Sequence, residues 1–159
     1  MPQHTSSIGD LKMPVTIQLY DHTRRKFAAG EFPPTDTFKL MLCTAATFDA
    51  TDTTLAGITK TEHANGNGYT TGGQALTNVA VTSIDDEPDG SADEARFDAD
   101  DVQWDASGGQ ISAQYAILYD DTDANDAPVA FIDYGEVKTA DDGTPFINRW
   151  NDDGIVKFT

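Results

Sequence analysis

Two apolar runs, Ile111 to Tyr119 and Val129 to Val137, flank the polar stretch Asp120 to Pro128. Both runs are rich in β-branched and aromatic residues, and the stretch between them is rich in Asp. They read as the two arms of a hairpin. A chain holding such a pair must extend it into a sheet and cover at least one of its faces. Shorter runs of the same kind recur between clusters of turn residues. Thr37 to Thr44 reads as a largely buried strand. Gln74 to Ser83 alternates, with Leu76, Val79 and Val81 apolar, and the step from 76 to 79 breaks the period and predicts a bulge. Ala95 to Phe97 and Val102 to Trp104 are shorter candidates. Phe146-Ile147 and Ile155 to Phe158 close the chain around a turn at Asn151 to Gly154. The expected fold class is mainly β: a single β-sandwich or barrel-like domain of about seven or eight strands, with one N-terminal helix and an extended N-terminal arm.

The helix is expected between Pro14 and Gly30. Pro14 suits a first turn, Ile17, Tyr20, Arg24 and Phe27 fall at helical spacing, and Gly30 suits a C-terminal cap. Arg24, Arg25 and Lys26 would complement the dipole at its end, and Pro33-Pro34 blocks continuation. Residues 1–14 are polar and without periodicity. They form an arm that needs something outside the domain's own core to hold it. The expected organisation is therefore an arm over 1–14 and a β-rich domain over 15–159.

Charge is the strongest bulk signal. The formal net charge is −17. Residues 1–40 hold five basic and four acidic groups, so the head carries +1 and the remainder −18. Such a surface repels phosphate backbones and anionic lipid, which argues against direct nucleic-acid or membrane binding. The start of the chain lacks a basic segment followed by an apolar one, and no apolar run approaches the ~18 residues of a membrane span. A soluble protein is expected. Cys43 is the single cysteine and sits in the apolar run Leu40-Met41-Leu42, so it reads as a small buried hydrophobe.

Candidate chemistry is sparse. The segment Asn65 to Gly73 is glycine-rich but lacks the Gly-Lys-Ser/Thr ending of a phosphate loop, so its glycines read as turn formers. Asp121, Asp123 and Asn125 match the first half of an EF-hand loop. The match fails at Asp126, where glycine makes the turn, and at Ile132, where a bidentate Glu is required. These three residues are a weak calcium candidate, and solvated turn acids are the default. Asp98, Asp100, Asp101 and Asp105 could supply a carboxylate pair, but a glycosidase needs one acid in an apolar pocket. His4, His22 and His63 are scattered without metal-ligand spacing. No catalytic residue and no cofactor is expected. Tyr69, Trp104, Tyr115, Tyr134 and Trp150 could line a sugar-binding face, although aromatics in β segments usually pack inside.

Several segments in order carry a likeness. They are Phe27 to Gly30, then Thr35-Asp36-Thr37-Phe38-Lys39-Leu40-Met41-Leu42, and Gly66 to Leu76. Phe97 to Trp104, Tyr115 to Asp120, Ile132 to Glu136 and Trp150 to Ile155 follow. On these the chain resembles small virion structural proteins of tailed phages, over about residues 15–159. The resemblance implies a shell or tail component without enzymatic activity. The expected function is a capsid decoration or cement protein that bridges capsomers on the virion surface after assembly in the host cytoplasm. Its partners would be the major capsid protein and itself, as a homotrimer. Contacts are expected from the near-neutral head, at Ile8, Leu11, Met13, Tyr20, Arg24 and Arg25. A tail or head-tail connector component, or a carbohydrate- or receptor-binding module, is the alternative.

Overall fold

The computed structural model describes residues 15–84 and 94–158. The expected hairpin is the centre of the fold. Strands β8 (Ile111–Asp120) and β9 (Pro128–Ala140) pair antiparallel, and β2 (Phe38–Ala46) joins the other edge of β8. Strand β1 (Thr16–Leu19) adds to β9, and β3 (Lys60–Glu62) and β4 (Gln74–Ala75) share the outer edge of β2. Two small sheets complete the described chain: β7 (Val102–Asp105) with β10 (Pro145–Asn148), and β11 (Val156–Phe158) with β6 (Glu94–Asp98) and β5 (Ala80–Ile84). The result is mainly β and sandwich-like, and none of the sheets closes into a barrel.

The centre of the large sheet, β2, β8 and the first half of β9, is buried on both faces, which is why these strands read as nearly continuous apolar runs. Phe38, Leu40 and Leu42 of β2 and Ala116 and Leu118 of β8 face the main core, against Phe97, Trp104, Phe146 and Val156 of the small sheets. Met41 and Cys43, with Ile117 and Tyr119, face the other way. There Leu55 and Ile58 cover them from the connection after β2, and Phe48 packs alongside. Cys43 is completely buried, as its apolar neighbours indicated, and burial pushes its thiol pKa up to about 12.

Three expectations are corrected. The helix over 14–30 is only α1 (Thr23–Ala28); Thr16 to Leu19 is a strand. In Thr16-Ile17-Gln18-Leu19 the apolar residues also alternate with period two. The open edge of β9 takes up that pattern, pairing Thr16 with Asp133 and Leu19 with Ala130. The single strand over 74–83 is divided between two sheets. After Leu76 N–H donates to the Phe38 carbonyl, Asn78 adopts φ +53 and the chain crosses to pair Ala80 with Asp98. The 76-to-79 irregularity is thus a corner of the sandwich and not a bulge. The two C-terminal strands flank the Asn151 turn as expected and join different sheets, β10 with β7 and β11 with β6. Eleven strands are found among the described residues where seven or eight were expected. β1 and β3 add two, and β4 and β5 split one.

Candidate functional site

The loop between β8 and β9, with α1 docked on it, gathers most of the residues that the sequence singled out. Asp120 ends β8 and is completely buried. Its Oδ1 accepts from the amides of Thr122 (2.9 Å) and Asp123 (3.3 Å), which coils the loop around it. Its Oδ2 has no donor. The Asp36 carboxyl lies close to its side chain, and two carboxylates become hydrogen-bond partners only when one takes up a proton. Burial first, then the Asp36 charge, raises the Asp120 pKa to about 6. An acid of this kind could donate a proton, but with no exposed surface it meets no substrate.

Helix α1 is short and has no side-chain cap, so tertiary contacts hold it. Thr23 Oγ1 donates to the Val129 carbonyl at 2.7 Å, and His22 Nε2 lies 2.7 Å from the Pro128 carbonyl. Lys26 Nζ bridges Asp123 and Glu31, at 3.1 Å from each, and lies 5.2 Å from the Phe32 ring centre. Phe27 meets Phe97, Phe32 and Phe158 with ring centres 4.9–5.2 Å apart. Arg24 and Arg25 are left on the exposed face, Arg25 paired with Glu31 at 2.9 Å.

The three calcium candidates do not converge. Asp126 does take φ +50, the conformation an EF-hand gives to glycine at this position. Around it, however, Asp121 pairs with Lys39 at 2.9 Å and Asp123 with Lys26, while Asp123 Oδ1 accepts the Asn125 amide. The acids are bound by cations and by the turn's own N–H groups. Among the described residues no cluster of three His, Cys, Asp or Glu side chains is placed to hold a metal ion.

The glycine-rich segment is structural. Gly66 pairs with Tyr69 in a small bridge, and Tyr69 OH donates to Glu62 at 2.7 Å and accepts from the Leu42 amide. Glu62 also accepts the Gly72 amide at 2.6 Å, so one carboxylate of β3 pins the segment at both Tyr69 and Gly72. Gly68 and Gly73 both have positive φ and lie so close to the carbonyls of Asp105 and Leu40 that a Cβ would overlap them. The acids after Phe97 also serve the fold. Asp100 accepts from Asn78 (2.6 Å) and Thr77 (3.1 Å), and Asp101 caps the Trp150 amide at 3.0 Å.

Of the expected partner contacts, Arg24 and Arg25 are exposed. Tyr20 is not a surface residue: it is 2 % exposed and packs against Phe48 under the large sheet, because the turn after β1 points it inward. Ile8, Leu11 and Met13 lie outside the described residues. The aromatics pack inside, as is usual in β segments, and form no sugar-binding face: Tyr69, Trp104, Tyr134 and Trp150 are all at most 4 % exposed, and Tyr115 is half-buried. The first four are core because each lies on a strand or turn facing the opposite sheet.

Two features near the head were not legible beforehand in the sequence. One is the outer edge of β1, unpaired among the described residues. The other is a groove of about 450 Å³ between that edge and residues 149–157. The alternation in Thr16 to Leu19 was the available signal for the first, and none pointed to the second. No family model, no curated protein and no solved structure matches the chain.

Proposed function

We propose that the chain is a virion structural protein without enzymatic activity: a capsid decoration or cement protein that binds the major capsid protein as a homo-oligomer. One observation carries this reading. Arg24 and Arg25 are exposed on α1, with Glu31 paired to Arg25, and α1 follows β1, whose outer edge in the largest sheet is unpaired among the described residues. An open strand edge offers unpaired backbone groups to a partner, and the cations oppose the repulsion a −17 chain would otherwise meet at an acidic surface. The strongly acidic remainder suits the outward side, where like charge keeps particles apart.

The test is binding to particles assembled from the major capsid protein encoded in the same genome. Electron microscopy should show saturable density at regular surface positions. Arg24→Glu with Arg25→Glu should lower that occupancy about tenfold and leave the melting temperature unchanged. Absence of regular density, or occupancy indifferent to the charge reversal, would refute the reading.

A further inference from the structure

We infer that the groove between the ends of β2 and β8 binds the terminal pyranose ring of a neutral glycan, with the Tyr115 ring as its floor. The inference goes beyond the capsid role and stands without it.

Two irregularities in the large sheet make the groove. The register of β2 with β8 ends at Cys43 opposite Tyr115. Past that point β2 skips Thr44 and pairs Ala45 and Ala46 with β3. On the other side β8 shifts register at Gln114, and Ala113 pairs with Lys138 of β9. Both shifts fall at one level of the sheet, and a bulge bends its strand and increases its twist. There β2 and β8 part and leave an open groove of about 270 Å³. That volume lies just below the range of drug-sized pockets and suits one ring better than a chain of them.

The lining has both parts that a sugar requires. A pyranose presents C–H groups on one face and hydroxyls around its edge. An aromatic ring under the face, with donors and acceptors at the edge, recognises it. Tyr115 supplies the ring. It is half-buried, unlike Tyr69, Trp104, Tyr134 and Trp150, and Phe131 backs it with ring centres 5.5 Å apart. That packing sets the ring's position before any ligand arrives. Gln114, Thr47, Thr59 and Thr61 also line the groove, and their side chains make no hydrogen bond of their own among the described residues. The Gln114 amide both donates and accepts, as does each hydroxyl, which matches a ligand made of hydroxyls. No acid is among the described residues that line the groove, and the Lys60 ammonium is already bound by the Leu55 carbonyl at 2.5 Å. The chain's net charge of −17 repels an anionic sugar at long range and leaves a neutral one unaffected. One fixed ring and four polar side chains suit a dissociation constant on the order of 1 mM.

Amide NMR of the full chain, titrated with the methyl glycosides of glucose, galactose, mannose and N-acetylglucosamine, tests the site. A methyl glycoside carries the linkage of a glycan's terminal unit. At least one of the four should move the amides of residues 44–47 and 114–115 saturably, and at least as strongly as the free sugar does. Gln114→Ala should weaken that binding about fivefold, through one lost hydrogen bond, at an unchanged melting temperature. Tyr115→Phe keeps the ring and should bind nearly as well, whereas Tyr115→Ala should bind about tenfold more weakly. No saturable shift with any of the four, shifts centred elsewhere, or binding indifferent to both alanine variants would overturn the inference. So would binding of the free sugar alone. Preference for the methyl glycoside of N-acetylneuraminic acid would also overturn it, by assigning recognition to the Lys60 charge. None of these outcomes bears on capsid binding, so either conclusion can fail alone.

Discussion

Replacing Asp120 by Asn should stabilise the protein at neutral pH and leave it unimproved in acid. Asp120 is fully buried, its Oδ2 has no donor, and the Asp36 carboxyl lies close to its side chain. Its pKa rises from an ordinary 3.8 to about 6 on folding, so the folded state holds its proton more tightly than the unfolded chain. Stability from this group is then fully present below pH 3.8 and falls as pH rises through the window up to about 6. At 1.36 kcal/mol per unit, the full penalty is about 3 kcal/mol above that window. Asn carries no charge, and its Nδ2 can donate to Asp36. The amide oxygen still accepts from Thr122 and Asp123, but those bonds lose their charge assistance, at a cost of about 1 kcal/mol. The expected net gain is about 2 kcal/mol. The ion pairs of the loop, Asp121 with Lys39 and Asp123 with Lys26, are common to both proteins and largely cancel in the difference. Urea unfolding of both proteins at pH 4 and pH 7.5 measures it. A variant whose advantage is the same at both pH values, or larger at pH 4, would refute the assignment of a buried, charge-strained carboxyl.

Two further outcomes follow from the packing. Gly73→Ala should cost more than about 2 kcal/mol, because φ is +84° and the new methyl would overlap the Leu40 carbonyl. Gly30→Ala, at φ +72° with open space around it, should cost only about 1 kcal/mol, and thermal melts of the pair separate strain from overlap. Cys43, fully buried and with its thiol pushed up to about 12, should react with a thiol reagent at pH 8 only at the unfolding rate. Fast labelling of the native protein would mean that the covering segment with Phe48, Leu55 and Ile58 opens readily.

The sequence by itself determined the strands that own their burial. Leu40 to Cys43, Tyr115 to Tyr119 and Val129 to Ile132 are apolar on both faces, and no solvated arrangement suits such runs. Their pairing as a hairpin followed from the polar stretch between them, and the turn role of the glycines around Tyr69 from the missing phosphate-loop ending. The tertiary structure decided whatever depended on a distant partner. Thr16 to Leu19 fits a helical period as well as an alternating one, and only the open edge of β9, more than a hundred residues away, selects the strand. The roles of Tyr20, Tyr69 and Trp104 were decided the same way, because an aromatic is core or contact according to what lies across from it. The acids of the 120–128 loop were legible as turn formers, but the isolation of Asp120 was not. Its burial comes from Asp36 and the chain folded over it, and local sequence holds no record of the charge that a distant segment brings near.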